Sequence, residues 1–69
     1  MMKYDYYDVA VRRITGTGRI IPMSNDESRN SALQISDGES YESKEHRTEQ
    51  EAINALDQWE ADWRKRNTN

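Results

Sequence analysis

The chain has 69 residues, of which 33% are hydrophobic and 33% are charged, with no cysteine and one histidine. This length allows one small domain, and the lack of cysteine excludes disulfides and thiolate metal sites. The formal net charge of −3 argues against general nucleic-acid binding, which requires a net basic surface.

Membrane and secretory roles are not expected. No apolar run approaches the length of a membrane span, and the N-terminal sequence MMKYDYYD lacks the apolar core of a secretory signal. We therefore expect no membrane partner and, because cysteine is absent, a cytoplasmic protein. A domain of this size is marginally stable, so a homodimer is an alternative that the sequence leaves open.

The periodicity of the chain predicts a single α+β domain over residues 1–69, in the order β-β-β-β-α. Short turns between the strands predict an antiparallel sheet of three or four strands, with the helix across one face. The other face is then left to solvent or to a partner. The predicted elements are strands over residues 3–14, 19–23, 32–36 and 39–43, a mobile loop over 24–31, a helix over 49–66 and a frayed tail over 67–69.

The first two strands form a predicted hairpin. Tyr7, Val9 and Val11 alternate with polar or small residues and should face the core. Ile14 is out of phase with them, which indicates a bulge or the end of the strand. The segment TGTG predicts the turn, because glycine adopts positive φ at little cost, and Pro22 predicts that the second strand lies at a sheet edge.

The middle of the chain is less regular. The segment SNDESRNS is polar throughout, without periodicity, and predicts the mobile loop. Leu33 and Ile35 should point inward from the third strand, and Tyr41 is the apolar anchor of the fourth. Asp37 and Gly38 between these strands favour a type I′ hairpin turn.

The helix has the clearest signals in the chain. Thr48 and Glu51 predict a capping box, and the basic residues of the last turn suit the helix dipole. Its apolar stripe contains Ala52, Ile53, Leu56, Trp59 and Trp63. We expect this stripe to pack over Val9, Val11, Ile21, Leu33 and Ile35. The two tryptophans are interpreted as core residues, with a half-exposed partner anchor as the alternative.

Glu60 falls within the angular range of the apolar stripe. We expect it at the solvent border of that stripe, because burying a carboxylate without a partner is costly. Glu60 can also pair with Arg64, as Asp62 can with Arg66, at i,i+4 spacing. The flank bearing Asp57, Glu60 and Arg64 should then contribute to a binding surface as well as to the core.

The helix start TEQEAINALDQW resembles that of small α+β proteins from phages and bacterial mobile elements. The resemblance is confined to those residues, and it implies no activity, cofactor or functional residue.

No catalytic, cofactor or metal site is predicted. His46 beside Glu45 lacks a Ser or Cys at a useful spacing, so it is interpreted as a surface residue before the helix cap. The carboxylates from Glu39 to Glu51 do not supply the frame of a calcium loop and are interpreted as a solvated acidic face. The GTG segment opens no helix and is not a dinucleotide-binding fingerprint.

Two sets of residues are candidates for binding a partner. Tyrosines and arginines on a sheet can stack on nucleic-acid bases, and they are also enriched at the energetic centres of protein interfaces. Residues 24–63 contain eleven acidic and three basic residues, which would repel a nucleic acid. The candidates are Tyr6, Arg12, Arg13 and Arg19 on the sheet, and Glu39, Glu42, Glu45, Asp57 and Glu60 in the acidic part.

These patterns favour a small acidic, non-catalytic module that binds a larger protein. Its most specific form is a phage-encoded inhibitor whose acidic surface, from Asp37 to Asp62, competes with nucleic acid for a basic groove of a host protein. The alternative is a nucleic-acid-binding module that uses the Tyr/Arg face of the sheet, helped by residues 64–66. An enzyme is least favoured, because the sequence offers no nucleophile–base pair and little room for a pocket.

Overall fold

A computed structural model describes residues 4–26, 28 and 35–68 of the chain. Its elements are the strands β1 (Tyr6–Arg12), β2 (Thr17–Met23) and β3 (Ser40–His46) and the helix α1 (Glu49–Asn67). The strands form an antiparallel sheet in the order β2-β1-β3, and α1 packs across one face, mainly over β1 and β2. The predicted α+β fold is confirmed. None of the helices in the described ranges is both long and apolar enough to cross a membrane.

β1 is the central strand, since both other strands pair with it. It ends at Arg12, so the out-of-phase Ile14 marks the end of the strand, and residues 13–16 form the turn to β2. Gly16 has a φ of +73°, and its amide donates to the carbonyl oxygen of Arg12 at 2.9 Å. The turn therefore begins two residues earlier than predicted. Pro22 lies on an edge strand, as predicted.

The predicted third strand is not observed where the chain is described. Ile35 and Ser36 are not in a strand, and residues 32–34 lie outside the described residues. Much of the predicted loop over 24–31 also lies outside them. Ser24, at its start, is buried, and its hydroxyl donates to Asp5 Oδ2 at 3.1 Å. The predicted fourth strand corresponds to β3, which continues three residues further than expected.

The turn before β3 is not of the predicted type. The amide of Glu39 donates to the carbonyl of Ser36 at 3.0 Å, which closes a four-residue turn. Gly38 has a φ of +85°, whereas Asp37 does not have positive φ. A type I′ turn needs positive φ at both central residues, so the conformation of Asp37 excludes it. A type II turn needs positive φ only at the second central residue, which is Gly38 here.

The core lies between β1 and α1. Its buried members are Val9, Val11, Ala52 and Trp59, with Tyr7, Ile20, Ala55, Leu56 and Trp63 packed against them. The register pairs Val9 with Ile20 and Asp8 with Ile21. Directly paired residues share a face, so Ile20 faces the helix and the prediction for Ile21 was wrong by one residue. Leu33 lies outside the described residues.

The sheet face turned away from α1, called the outer face below, is also buried at its centre. Asp8 is 3% exposed, and Ala10 and Ile21 are 0% exposed. The expectation that this face is left to solvent or to a partner is therefore wrong at these positions. The register places Arg19 and Tyr41 on either side of Ala10, so two long side chains flank this small residue.

The helix α1 begins as the capping box predicts. The Thr48 hydroxyl accepts a hydrogen bond from the Glu51 amide at 3.1 Å. The carboxylate of Glu51 reaches back to the amide of Arg47 at 3.0 Å, one residue before the expected one. At the other end the helix continues to Asn67, so the predicted frayed tail is one residue too long at its start.

Two glycines of the hairpin allow α1 to approach the sheet closely. A Cβ added at Gly18 would lie 2.5 Å from Leu56 Cδ1 and 2.8 Å from the carbonyl oxygen of Ala10. A Cβ added at Gly16 would lie 2.4 Å from the ring of Trp63. The glycines of TGTG thus serve helix packing, a role that the turn signal alone does not predict.

We expect Gly18→Ala to lower the free energy of unfolding by about 1–3 kcal/mol, the range for overpacking a core site. Urea denaturation followed by tryptophan fluorescence measures this change. Ile14→Ala, at a position of the hairpin turn that is 93% exposed, is the control and should change the same quantity by less than about 0.5 kcal/mol. Equal effects of the two substitutions would contradict the close approach of Leu56 to Gly18.

Candidate functional site

Arg19 on the outer face forms a two-pronged ion pair with Glu39. Its Nε lies 2.9 Å from Glu39 Oε2, and its Nη2 lies 3.0 Å from Oε1. The Ser36 amide also donates to Glu39 Oε1, at 2.6 Å. The hydrogen bonds from Arg19 first, and that from Ser36 next, lower the pKa of Glu39 to about 2. Glu39, a predicted partner-binding residue, therefore has a structural role, and its side chain is only 5% exposed.

The other two arginines of the predicted Tyr/Arg face also have partners within the chain. Arg12 Nη1 donates to the carbonyl oxygen of Asp37 at 3.0 Å. Arg13 Nη2 lies 3.3 Å from Glu42 Oε2 in a more exposed ion pair. A shallow depression of about 140 Å³ lies beside Arg12 and Arg19. Its volume is below the few hundred Å³ typical of small-molecule sites.

The opposite end of the outer face carries tyrosines among carboxylates. Tyr6 is half-buried, and burial, followed by the negative charges of Asp8 and Glu45, raises its pKa. Asp8 is buried in the central strand, where its Oδ1 accepts a hydrogen bond from the Glu45 amide at 2.7 Å. The predicted Tyr/Arg face therefore consists of two regions, one with paired arginines and one with tyrosines near carboxylates.

β3 bulges where it passes this second region. Val9 pairs with Ser43 and Tyr7 pairs with His46, so β3 has one more residue than β1 between these two pairs. A second extra residue of β3 lies between the pairs Ala10–Tyr41 and Val9–Ser43. Glu45 lies in the bulge with a φ of +63°, a conformation that residues other than glycine rarely adopt. Its side chain is exposed.

The bulge brings Ser43 and His46 together. Ser43 Oγ lies 2.6 Å from His46 Nε2, and both residues are half-buried. The sequence alone does not indicate this contact, because residues three apart in a regular strand point to opposite faces. A nucleophile–base pair also needs a group that orients the histidine, and no carboxylate of the described residues is hydrogen-bonded to His46. We interpret the contact as the polar pairing of two residues within the bulge.

The carboxylates of α1 have no cationic partner among the described residues. Over residues 49–62 the helix has no basic residue, and none of its carboxylates forms an ion pair with another described residue. The i,i+4 pairs that the spacing allows, Glu60 with Arg64 and Asp62 with Arg66, are not formed, consistent with the small gain from exposed pairs. Glu60 is half-buried at the stripe border, as expected, and Asp57 is exposed. The five helix carboxylates are Glu49, Glu51, Asp57, Glu60 and Asp62.

The basic end of α1 meets the β1–β2 turn. The indole Nε1 of Trp63 donates to the carbonyl oxygen of Arg13 at 2.7 Å, which places residues 64–66 near that turn. Ile14 in the turn is 93% exposed. The position of residues 64–66 beside the turn does not follow from the sequence, because it depends on how far α1 extends across the sheet.

Comparison with known proteins gives no matching family model, and no significant match among curated proteins or solved structures. Within residues 4–26, 28 and 35–68, no group of three or more His, Cys, Asp or Glu residues is placed to hold a metal ion. The function is therefore argued from the surface residues themselves.

Glu45→Gly should raise the free energy of unfolding by about 0.5–1 kcal/mol. The gain arises because glycine removes the 1–2 kcal/mol cost of positive φ but loses more entropy on folding. Urea denaturation measures it. Glu45→Ala removes the same carboxylate but keeps a Cβ, so a comparable gain for alanine would show that the backbone conformation is not the cause.

The ion pair of Glu39 should make stability depend on acid. Its folded pKa of about 2 lies below the ordinary value of 4.5, so its contribution is present above pH 4.5 and is lost as the pH falls toward 2. We expect Glu39→Gln to be less stable than the wild type at neutral pH and to lose less stability over that interval. Chemical denaturation at several pH values tests this.

Glu42→Gln is the matched control, because its ion pair with Arg13 is longer and more exposed. It should reduce stability only slightly at neutral pH. If both substitutions changed the loss of unfolding free energy below pH 4.5 by the same amount, the special role of Glu39 would be refuted.

Proposed function

We propose that the chain is a small non-catalytic module that binds a larger protein through its acidic surface. The partner surface is basic, as in the nucleic-acid-binding groove of another protein. An inhibitor encoded by a phage or mobile element, acting in the cytoplasm on a host protein, is the most specific form of this proposal. The chain would act by occupying the groove, so it would need no cofactor or reacting group.

The main support is the contrast between the arginines of the sheet and the carboxylates of the helix. Arg12, Arg13 and Arg19 are engaged by acceptors within the chain, so their affinity for an external phosphate is reduced. The helix carboxylates have no cationic partner among the described residues and are oriented toward solvent or the stripe border. Complementary charge of this kind favours association with a basic partner.

Fewer of the candidate carboxylates are available to a partner than the sequence suggests. Glu39 and Glu42 neutralise arginines of the same chain, so they contribute little net charge to a partner. Glu45, Asp57 and Glu60 remain available among the candidates. The other three helix carboxylates, Glu49, Glu51 and Asp62, join them.

The nucleic-acid-binding alternative retains one supporting observation. The hydrogen bond from the Trp63 indole to the Arg13 carbonyl brings the end of the helix that carries the basic residues 64–66 to the β1–β2 turn. A gel-shift titration at low salt distinguishes this alternative. We expect no retardation at tens of micromolar protein, a range in which nonspecific binding usually appears.

The proposal predicts that reversing the helix charges abolishes partner capture. In the variant Glu49→Lys, Asp57→Lys, Glu60→Lys the attraction to a basic groove becomes repulsion. The wild-type protein, immobilised and exposed to host-cell extract, should retain nucleic-acid-binding proteins that an added oligonucleotide displaces. Mass spectrometry of the displaced fraction measures the capture, and the variant should retain none of these proteins.

The control is Gln50→Ala, Asn54→Ala, Gln58→Ala, which changes three exposed positions of the same helix and leaves its charge unchanged. It should capture the same proteins as the wild type. Retention of those proteins by the charge-reversed variant, or failure of the oligonucleotide to displace them, would refute the proposal.

A further inference from the structure

Tyr41 on the outer face already binds a cation of its own chain. The ammonium Nζ of Lys44 lies 4.3 Å from the centre of the Tyr41 ring. This distance is within the range of a cation–π contact, worth about 0.5–1 kcal/mol at an exposed site. Lys44 is exposed and Tyr41 is half-buried, so the ammonium that covers the ring is itself in contact with solvent. The ring could therefore accept a different cation if Lys44 moved away.

The groups around this ring favour a positive charge. Tyr41 is paired with Ala10, and the residues on the same face of β1 toward its N-terminal end are Asp8 and Tyr6. Glu45 follows Lys44 in the bulge and is fixed to Asp8 through its amide. The region therefore combines two aromatic rings with carboxylates, and the ammonium of Lys44 lies over one of these rings.

We propose that Tyr6, Tyr41 and Glu45 form a site for an arginine or lysine side chain of a basic protein partner, and that Lys44 occupies this site in the free protein. This inference rests on the proposed function, and it adds the chemistry of one contact. On binding, the partner cation replaces Lys44 over the Tyr41 ring and pairs with the Glu45 carboxylate. Lys44 is then released to solvent.

A phosphate or a nucleic-acid base fits this site less well. A phosphate would be repelled by the negative charges of Asp8 and Glu45. Burial first, and then these two charges, raise the pKa of Tyr6, which shows that both charges act on this ring. The nearest arginine on the outer face is Arg19, whose guanidinium is held by Glu39. A guanidinium, in contrast, can stack on a tyrosine ring while it donates hydrogen bonds to a carboxylate.

The backbone at Glu45 gives secondary support. Its φ of +63° is a conformation that glycine or asparagine adopts at lower cost, yet the position carries a glutamate with an exposed side chain. The backbone that carries this side chain is held in the bulge, because the Glu45 amide is hydrogen-bonded to Asp8. A side chain on a fixed backbone loses less conformational freedom when it pairs with an incoming cation than a side chain on a mobile loop.

A capped peptide, acetyl-Gly-Arg-Gly-amide, tests the site on the full isotope-labelled chain by NMR titration. We expect the largest chemical-shift changes at Tyr6, Tyr41 and Glu45. Lys44→Gln should strengthen binding about two- to fivefold, the factor that corresponds to an exposed cation–π contact. Lys65→Gln removes the same charge from the helix end and should strengthen binding much less.

Two further variants separate the aromatic and acidic contributions. Tyr41→Leu should weaken binding, whereas Tyr41→Phe, which keeps the ring, should preserve it. Glu45→Gln should weaken binding more than Glu49→Gln, which neutralises a helix carboxylate. The protein spectrum of each variant reports independently whether it is folded.

Shift changes confined to the helix carboxylates would overturn this site and leave the proposed function intact. Equal gains for Lys44→Gln and Lys65→Gln would also overturn it, because they would reflect net charge alone. If no resonance shifts at the highest soluble peptide concentration, the site is refuted, and the extract-capture experiment decides the proposed function separately.

Discussion

The hydrogen bond from the Glu45 amide to the Asp8 carboxylate determines how β3 lies against β1. Asp8 is 3% exposed in the central strand, and a buried carboxylate is tolerated only when it accepts hydrogen bonds. The Glu45 amide reaches it because β3 bulges and Glu45 adopts positive φ. The bulge in turn places Ser43 and His46 opposite Val9 and Tyr7, on the helix side of the sheet. The buried polar contact and the positions of Ser43 and His46 therefore depend on the same bulge.

The helix side of the sheet depends on a different constraint, the absence of side chains at Gly16 and Gly18. Trp63 and Leu56 occupy the space that a Cβ would fill at these positions. Close approach matters in a chain of 69 residues, because so small a domain buries little apolar surface and gains much of its stability from dense packing. The Trp63 indole also donates to the Arg13 carbonyl, so the last turns of the helix are fixed to the hairpin turn.

Local signals explain what the sequence predicts well. The capping box at Thr48, the alternation of Val9 and Val11 and the edge position of Pro22 each depend on a few neighbouring residues. The face of Ile21, the burial of Ala10 and the Ser43–His46 contact depend on strand register and on bulges, which no short pattern encodes. The same limit applies to the candidate site. The sequence identifies the charged residues, but it cannot show that Arg19 of β2 and Glu39, just before β3, neutralise each other across the central strand.

The distribution of charge follows from these pairings. Arg19 and Arg13 are balanced by Glu39 and Glu42, and Arg12 donates to a backbone carbonyl, whereas the helix carboxylates and Glu45 form no ion pair among the described residues. Glu45 is the informative position, because its conformation costs stability that a marginal domain can hardly spare. When a glutamate stands where glycine would give a more stable fold, its side chain is a candidate for a functional role. We therefore propose that the exposed carboxylate of Glu45 contacts the partner, while its amide stabilises the fold through Asp8.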